Sequence, residues 1–217
     1  MSAAPLLSFG LVEDRPVFMD EASDSYFLLE QAQEQEFLDG RARPTMHFSR
    51  ELREALGADP RQVGCARCDR PTSAILGPAP PAARFAVRDL ARIACLLART
   101  RNDIRRRPIA SMLAALRSSE ASAAPAGDMA AVRAATLPFL AARRLLPVRH
   151  SCLLDSIALV RWLAAGGLPA TLVFGVKLHP FAAHCWVQSG TLLLNDRLET
   201  VHRFAPVRVL PCAPVTP

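Results

Sequence analysis

Lysine is nearly absent. The 217-residue chain has one, Lys177, while arginine is spread throughout. Tyrosine occurs once, at Tyr26, and aromatic residues make up 6% of the chain. Proteins that track single-stranded nucleic acid interleave aromatic with basic residues. That pattern is missing, so the net charge of +6 reads as an Arg- and Ala-rich composition and no nucleic-acid partner is expected. No uncharged apolar run reaches the roughly eighteen residues of a transmembrane helix. The opening stretch MSAAPLLSFGLVEDRP has no basic start and no continuous apolar core, which speaks against a signal peptide. A cytoplasmic protein with no membrane partner is the expectation. The CxxC of Cys65 and Cys68 has no second CxxC to match it. Alone it is half a zinc site. His47 is the nearest further ligand, so the two are read as loop thiols and no metal is expected. Six cysteines at irregular spacing in a chain this long suit free thiols better than a disulfide framework.

What is present is globular: 51% apolar and 21% charged residues, enough for one large domain or two small ones. Charge divides the chain. Residues 13–39 carry nine acids against one base, and residues 84–117 carry nine arginines against two acids, which suggests two modules. SFGLVE, RPVFMD and SYFLL read as short strands between turn-like segments. A helix is expected from Glu30 to Leu38, and another over Arg50 to Leu56 with Ser49 and Gly57 as its caps. Three strands and short helices make a module of residues 1–70, marginal in size by itself. Residues 71–82, rich in Pro and small side chains, read as a linker. Residues 83–217 form the second module. Its first part is helical, interrupted at Pro108, then a loop at 118–127, then a helix bent or restarted near Pro138.

The chemistry is concentrated between His150 and Asp196. Ser151 is placed to cap a helix opening at Cys152, with an apolar stripe at Leu153, Ile157, Val160 and Leu163 and a stop at Gly166 and Gly167. A cysteine in a helix's first turn feels the positive end of the dipole, which favours thiolate. Its own backbone N–H is a candidate oxyanion donor. Downstream, 181–188 and 192–196 read as a hairpin. A three-residue loop of Ser189, Gly190 and Thr191 pairs Gln188 with Leu192 and therefore His184 with Asp196, on one face. The carboxylate then orients the imidazole. Trp186 shares that face and shields the pair, whereas Cys185 points to the other face and reads as core. Cys, His and Asp so arranged suit thiol nucleophilic catalysis: Cys152 as nucleophile, His184 as general base and acid, Asp196 as its orienter. The same three residues also suit acyl transfer to an amine, and a non-catalytic peptide-binding maturation factor remains the alternative in which Cys152 is only core.

The pieces Cys-Leu-x-x-Ser at Cys152, LVFGV at 172–176, PFAAHCWV at 180–187 and LND at 194–196 resemble the lasso peptide leader-peptidase family, the bacterial B-type maturation proteins. VFMDEASDSYFLL resembles the PqqD-like precursor-recognition domain. The resemblance implies an α+β chain: a small winged-helix-like recognition domain, then a papain- or transglutaminase-like cysteine peptidase domain of helices and an antiparallel sheet. It implies a lasso precursor whose leader adds as a strand to the small sheet, with Tyr26, Phe27 and Leu28 of the third strand as leader-binding residues. It implies a partner cyclase related to asparagine synthetase. ATP dependence has been discussed for that family, but no glycine-rich phosphate loop occurs here, and no cofactor is expected. Two separable modules further imply that removing everything before Pro78 weakens precursor binding more than it disturbs the Cys152–His184 pair.

Overall fold

The computed structural model describes residues 6–77, 86–117 and 129–212. The expected loop at 118–127 and the later part of the linker lie outside them. The chain begins with a hairpin, β1 (Leu7–Val12) and β2 (Arg15–Asp20), closed by Glu13 and Asp14, both at positive φ. Positive φ at both central residues gives a two-residue turn the twist that hairpin strands need. β3 (Ser25–Leu28) pairs with β2, and β4 (Gly64–Cys65) runs parallel to β1. The order β3-β2-β1-β4 leaves β3 at an edge. The sheet therefore has four strands where three were expected, because a two-residue strand at Cys65 has no period to read.

Two helices cover one face, α1 (Gln31–Ala42) and α2 (Arg50–Leu56). Ser49 Oγ accepts from the Leu52 N–H at 3.1 Å, and Gly57 closes α2 in the left-handed conformation, φ 60°. Side-chain alternation divides the sheet. Leu7, Phe9 and Phe18 pack with Phe37, Phe48 and Leu52 of the helical layer. Val12, Val17 and Met19 point the other way and belong to the core of the second module.

That second core lies between helices and a five-stranded sheet ordered β5-β8-β7-β6-β9. Its strands are β5 (Ser73–Ala74), β6 (Ala170–Lys177), β7 (Ala182–Ser189), β8 (Leu192–Leu193) and β9 (Ala205–Cys212). The helices are α3 (Val87–Arg106), α4 (Ile109–Leu116), α5 (Met129–Leu145), α6 (Cys152–Ala165) and the short α7 (Leu198–Val201). α5 is one helix with Pro138 inside it, so of the two expectations, bent or restarted, the restart does not occur. α6 is buried along Leu154, Ile157, Leu159 and Leu163. Among the described residues no helix is long and apolar enough to cross a membrane.

Two expectations about the connection change. The start of the linker is an edge strand: Thr72 donates to the Thr191 carbonyl and Ile75 to that of Leu193, both at 2.9 Å, and Ile75 is buried. An edge strand needs few ladder bonds and tolerates proline at its start, so this composition hid it. The modules are also not separable. Gly10 lies so close to β9 that a Cβ there would sit 1.8 Å from the Pro206 carbonyl oxygen. Ser8 Oγ donates to the Val207 carbonyl at 2.8 Å. Removing the chain before Pro78 strips Val12, Val17, Met19 and Ile75 from the larger core. Each nearly buried side chain of that size is worth about 1.5–3 kcal/mol. Such a deletion is expected to disturb the larger core itself.

Candidate active site

The helix that opens the site is anchored by charge. Asp155 stands in the first turn of α6 and takes a 2.6 Å bond from buried Arg143 of α5. Arg143 Nη2 also donates to the Arg149 carbonyl at 3.3 Å, and His150 Nδ1 lies 3.1 Å from Asp155. The segment entering α6 is thereby tied to α5. Ser151 takes the N-cap position with extended backbone, but its side chain makes no capping bond. Its carbonyl, which accepts from the Asp155 N–H at 2.9 Å, opens the helix instead. Cys152 is the first helical residue and is exposed. A first-turn N–H has no acceptor four residues back, so the amide of Cys152 is open to a ligand oxygen.

The structure brings Cys152, His184 and Asp196 together, though not through the expected register. β7 and β8 pair Ser189 with Leu192 and Gln188 with Leu193, so the loop is Gly190 and Thr191, two residues rather than three. An unbroken ladder of that register would turn Asp196 away from His184. The ladder instead stops. Leu194 N still donates to the Val187 carbonyl at 2.9 Å, but the Val187 N–H is taken by the Asn195 side chain, Oδ1 at 2.8 Å. From there the chain bends, and Asp196 Oδ2 reaches His184 Nε2 at 2.5 Å. The Asp196 carboxylate is also held by the Arg197 N–H, 2.7 Å from Oδ1.

Phe204 lies over the His184 ring with centroids 5.1 Å apart, and Trp186, on the same face, stands near-parallel to it at 6.3 Å. Gly175, paired with His184 across the ladder, makes room: a Cβ there would meet the Trp186 ring at 2.8 Å. Trp186 Nε1 is satisfied by Gln188 Oε1 at 2.9 Å. Imidazole and carboxylate thus sit against an aromatic wall that limits water.

The electrostatics follow from these contacts. Hydrogen bonds from the Cys185 thiol and from His184, together with the Cys185 N–H, outweigh burial and lower the Cys152 pKa to about 4. Burial by itself lowers that of His184, but the bonds to Asp196 and Cys152 and their charges raise it to about 9. Burial pushes Asp196 up, yet the bonds from His184 and the Arg197 N–H leave it below its usual value. Between those limits the resting pair is thiolate and imidazolium, titrating as a coupled unit. A thiolate with a helix N-terminus behind it can attack carbonyl carbon, and the imidazolium beside it can hand a proton to the leaving group.

Sequence reasoning missed Cys185. It is buried as expected, 3% exposed, but it also bears on the titration of Cys152. Alternation placed it on the face opposite His184, which α6 covers, and the first residue of α6 is Cys152. Ser156 and Asn195, which carry the resemblance in Cys-Leu-x-x-Ser and LND, were given no role of their own; here Asn195 Nδ2 donates to Ser156 Oγ at 2.9 Å and Ser156 to the Cys185 carbonyl at 3.3 Å.

The three residues expected to bind a leader divide by face. Phe27 stacks on Phe18, centroids 5.2 Å apart, in the small module's own core, so its side chain is not on offer. Leu28 is 39% exposed. Tyr26 points to the second module, its ring 6.1 Å from that of Phe181. Burial raises its pKa, with smaller contributions from Cys185, Asp24 and Cys152. Cys65 and Cys68 are free, with Cys68 pushed up to about 11 by burial and Asp69. Among the described residues no group of three or more His, Cys, Asp or Glu is placed to hold a metal ion.

The family model of the transglutaminase-like superfamily matches residues 94–209, from α3 through β9, a span that contains Cys152, His184 and Asp196. No curated protein and no solved structure matches the chain.

Proposed function

The chain belongs to the transglutaminase-like superfamily, and from that premise we propose that it is a cysteine peptidase that removes the leader of a ribosomally made lasso peptide precursor. The observation that carries the reading is the Cys152–His184–Asp196 arrangement, with Nε2 of His184 2.5 Å from Asp196 and the thiol poised as thiolate. The Cys152 sulfur attacks the carbonyl carbon at the leader–core junction. The oxyanion meets the Cys152 N–H at the positive end of α6. His184 gives its proton to the departing core amine, leaving a thioester between leader and Cys152. Water, deprotonated by His184, cleaves the thioester and frees the leader as a carboxylate. Asp196 holds the ring throughout. Hydrolysis by this route consumes water alone and takes no cofactor.

Residues 1–70 serve as recognition domain, 71–82 as the connection and 83–217 as the peptidase. The leader adds to the free edge of β3 by backbone pairing, with Leu28 and Tyr26 offering side chains and Phe27 only its backbone. The released core peptide passes to a cyclase related to asparagine synthetase. The superfamily description also favours a second reading, in which the same thioester is taken by an amine. Product mass separates the two. A precursor incubated with the chain and resolved by mass spectrometry should yield leader and core fragments whose masses sum to the precursor plus one water. Cys152→Ala should abolish both while leader binding persists. A leader fragment joined to the amine, heavier than the free leader by the amine less one water, favours acyl transfer, and cleavage surviving Cys152→Ala sinks the mechanism.

A further inference from the structure

The chain's one lysine stands beside the candidate active site. Lys177 lies on β6 two residues beyond Gly175, and Gly175 pairs with His184 across the ladder. Side chains two apart on a strand share a face, so Lys177 and His184 leave the sheet on the same side. Phe204 serves both. Its ring centroid is 5.9 Å from Lys177 Nζ and 5.1 Å from the imidazole centroid. Those two contacts keep Lys177 Nζ within about 11 Å of the imidazole, on the order of three residues of extended chain.

Phe204 also lines a cavity of about 400 Å³, together with Trp186, Arg70, Lys177, Arg203 and Glu13. Hydrogen bonds hold its walls in place. His202 Nε2 lies 2.8 Å from the Pro71 carbonyl, and Arg70 Nη2 donates to the His202 carbonyl at 3.4 Å. They tie the connection between the modules to the turn that carries Phe204. Three cations stand here against one carboxylate, and Glu13 already has His179 at 3.5 Å. Among the described residues none of the three cations is in an ion pair. A solvated cation on open surface needs no partner. Cations that border a concave, aromatic-lined space attract an anion more strongly, because the lining excludes water. The volume suits a side chain and its neighbouring backbone.

We propose that this cavity is a specificity pocket for an acidic side chain of the bound peptide, an Asp or Glu within about three residues of the scissile bond. The inference rests on the reading of Cys152 as the nucleophile of a peptidase. The carboxylate meets Lys177 and Arg203 while the backbone it hangs from crosses the thiol. Its capture fixes which carbonyl of the peptide faces the sulfur.

The test uses the full chain and two synthetic peptides, acetyl-Ala-Ala-Glu-Ala-Ala-amide and its Gln counterpart. Because Lys177 is the only lysine, its acetylation by N-acetoxysuccinimide reads occupancy of the pocket. Alkylation of Cys152 by iodoacetamide reads occupancy of the site, with the modified residue identified by peptide mapping because Cys65 and Cys95 are also exposed. The Glu peptide should slow both reactions, and the Gln peptide should need about tenfold higher concentration for the same protection. Inorganic phosphate should protect Lys177 alone. Lys177→Gln should weaken the Glu peptide's protection of Cys152 about tenfold, and Lys177→Arg, which keeps the charge, should recover it to within about threefold; circular dichroism checks that both variants are folded. No protection by either peptide, or equal protection by both, overturns the proposal. A Glu peptide that shields Lys177 no better than phosphate does and leaves Cys152 unprotected makes the cavity a site for free anions, and overturns it too. Acid-dependent protection of both residues in a chain that cleaves no precursor supports the pocket while removing the peptidase reading.

Discussion

Glu21 is the carboxylate on which the two modules lean. Its side chain is 0% exposed. Arg117 Nη2 lies 2.7 and 2.6 Å from its two oxygens, and Arg208 Nε stands 2.6 Å from one of them. Glu21 follows β2 of the small sheet, whereas Arg117 follows α4 and Arg208 belongs to β9 of the large one. Removing one partner from a buried pair costs about 3–5 kcal/mol, because the remaining charge loses its compensation. In a protein of this size each kcal/mol moves Tm about 2–4 °C. Glu21→Ala should therefore lower Tm by roughly 10 °C in thermal unfolding followed by circular dichroism on the full chain. Glu21→Gln, which keeps an acceptor but no charge, should fall between. Glu54 supplies the control. Its pair with Arg50 is equally short, 2.6 Å, but the two side chains are 62% and 85% exposed. Solvent screening leaves such a pair at a few tenths of a kcal/mol, so Glu54→Ala should move Tm by about 1 °C. If Glu21→Ala melts within about 2 °C of wild type, the reasoning that burial makes this contact hold the modules together is wrong.

Cys152 should remain open to alkylation down to about pH 4, where an ordinary thiol is protonated, since a lowered pKa keeps the thiolate present at every pH above it. Precursor cleavage should fail as pH rises through about 9, where His184 loses the proton that the leaving amine needs. A kcat profile with no alkaline limb contradicts this. Asp196→Asn removes the charge that helps to hold the imidazolium, and should cut kcat at least a hundredfold with little change in KM; a split the other way would make Asp196 a binding residue. Leu28→Asp on the free edge should weaken leader binding at least tenfold by fluorescence anisotropy at unchanged Tm. Phe27→Ala should act in the opposite sense, lowering Tm through its lost stacking on Phe18.

The positions of Cys152, His184 and Asp196 in the fold were readable because each sits where local sequence speaks plainly. Cys152 opens an apolar helical stripe, His184 lies in an apolar run after Phe181, and Asp196 ends the next. The contact between His184 and Asp196 was correct but its cause was not. A register argument extends a ladder as long as the pattern allows, and here the Asn195 side chain replaces a ladder bond and ends it. The two-residue strands β4 and β5 were invisible for a related reason. They are set by partners far away in the chain, Phe9 and Ser8 for one and Leu192 and Leu193 for the other. The joining of the modules was hidden likewise. Val12, Val17 and Met19 alternate as in any sheet with one dry face, and nothing local says that the other face is dry as well. Cys185 was placed on the right face, but that this face lies toward the start of α6 is a property of how α6 crosses β7.

The central claim is that a thioester forms on Cys152 and is resolved by water. Cleavage of the precursor in water enriched in ¹⁸O tests it most directly. The account predicts a leader fragment whose new C-terminal carboxylate carries one heavy oxygen, an acyl adduct of leader mass on Cys152 in quenched samples, and neither product with Cys152→Ala. A leader joined to an amine without ¹⁸O, or labelled leader still released by Cys152→Ala, contradicts it.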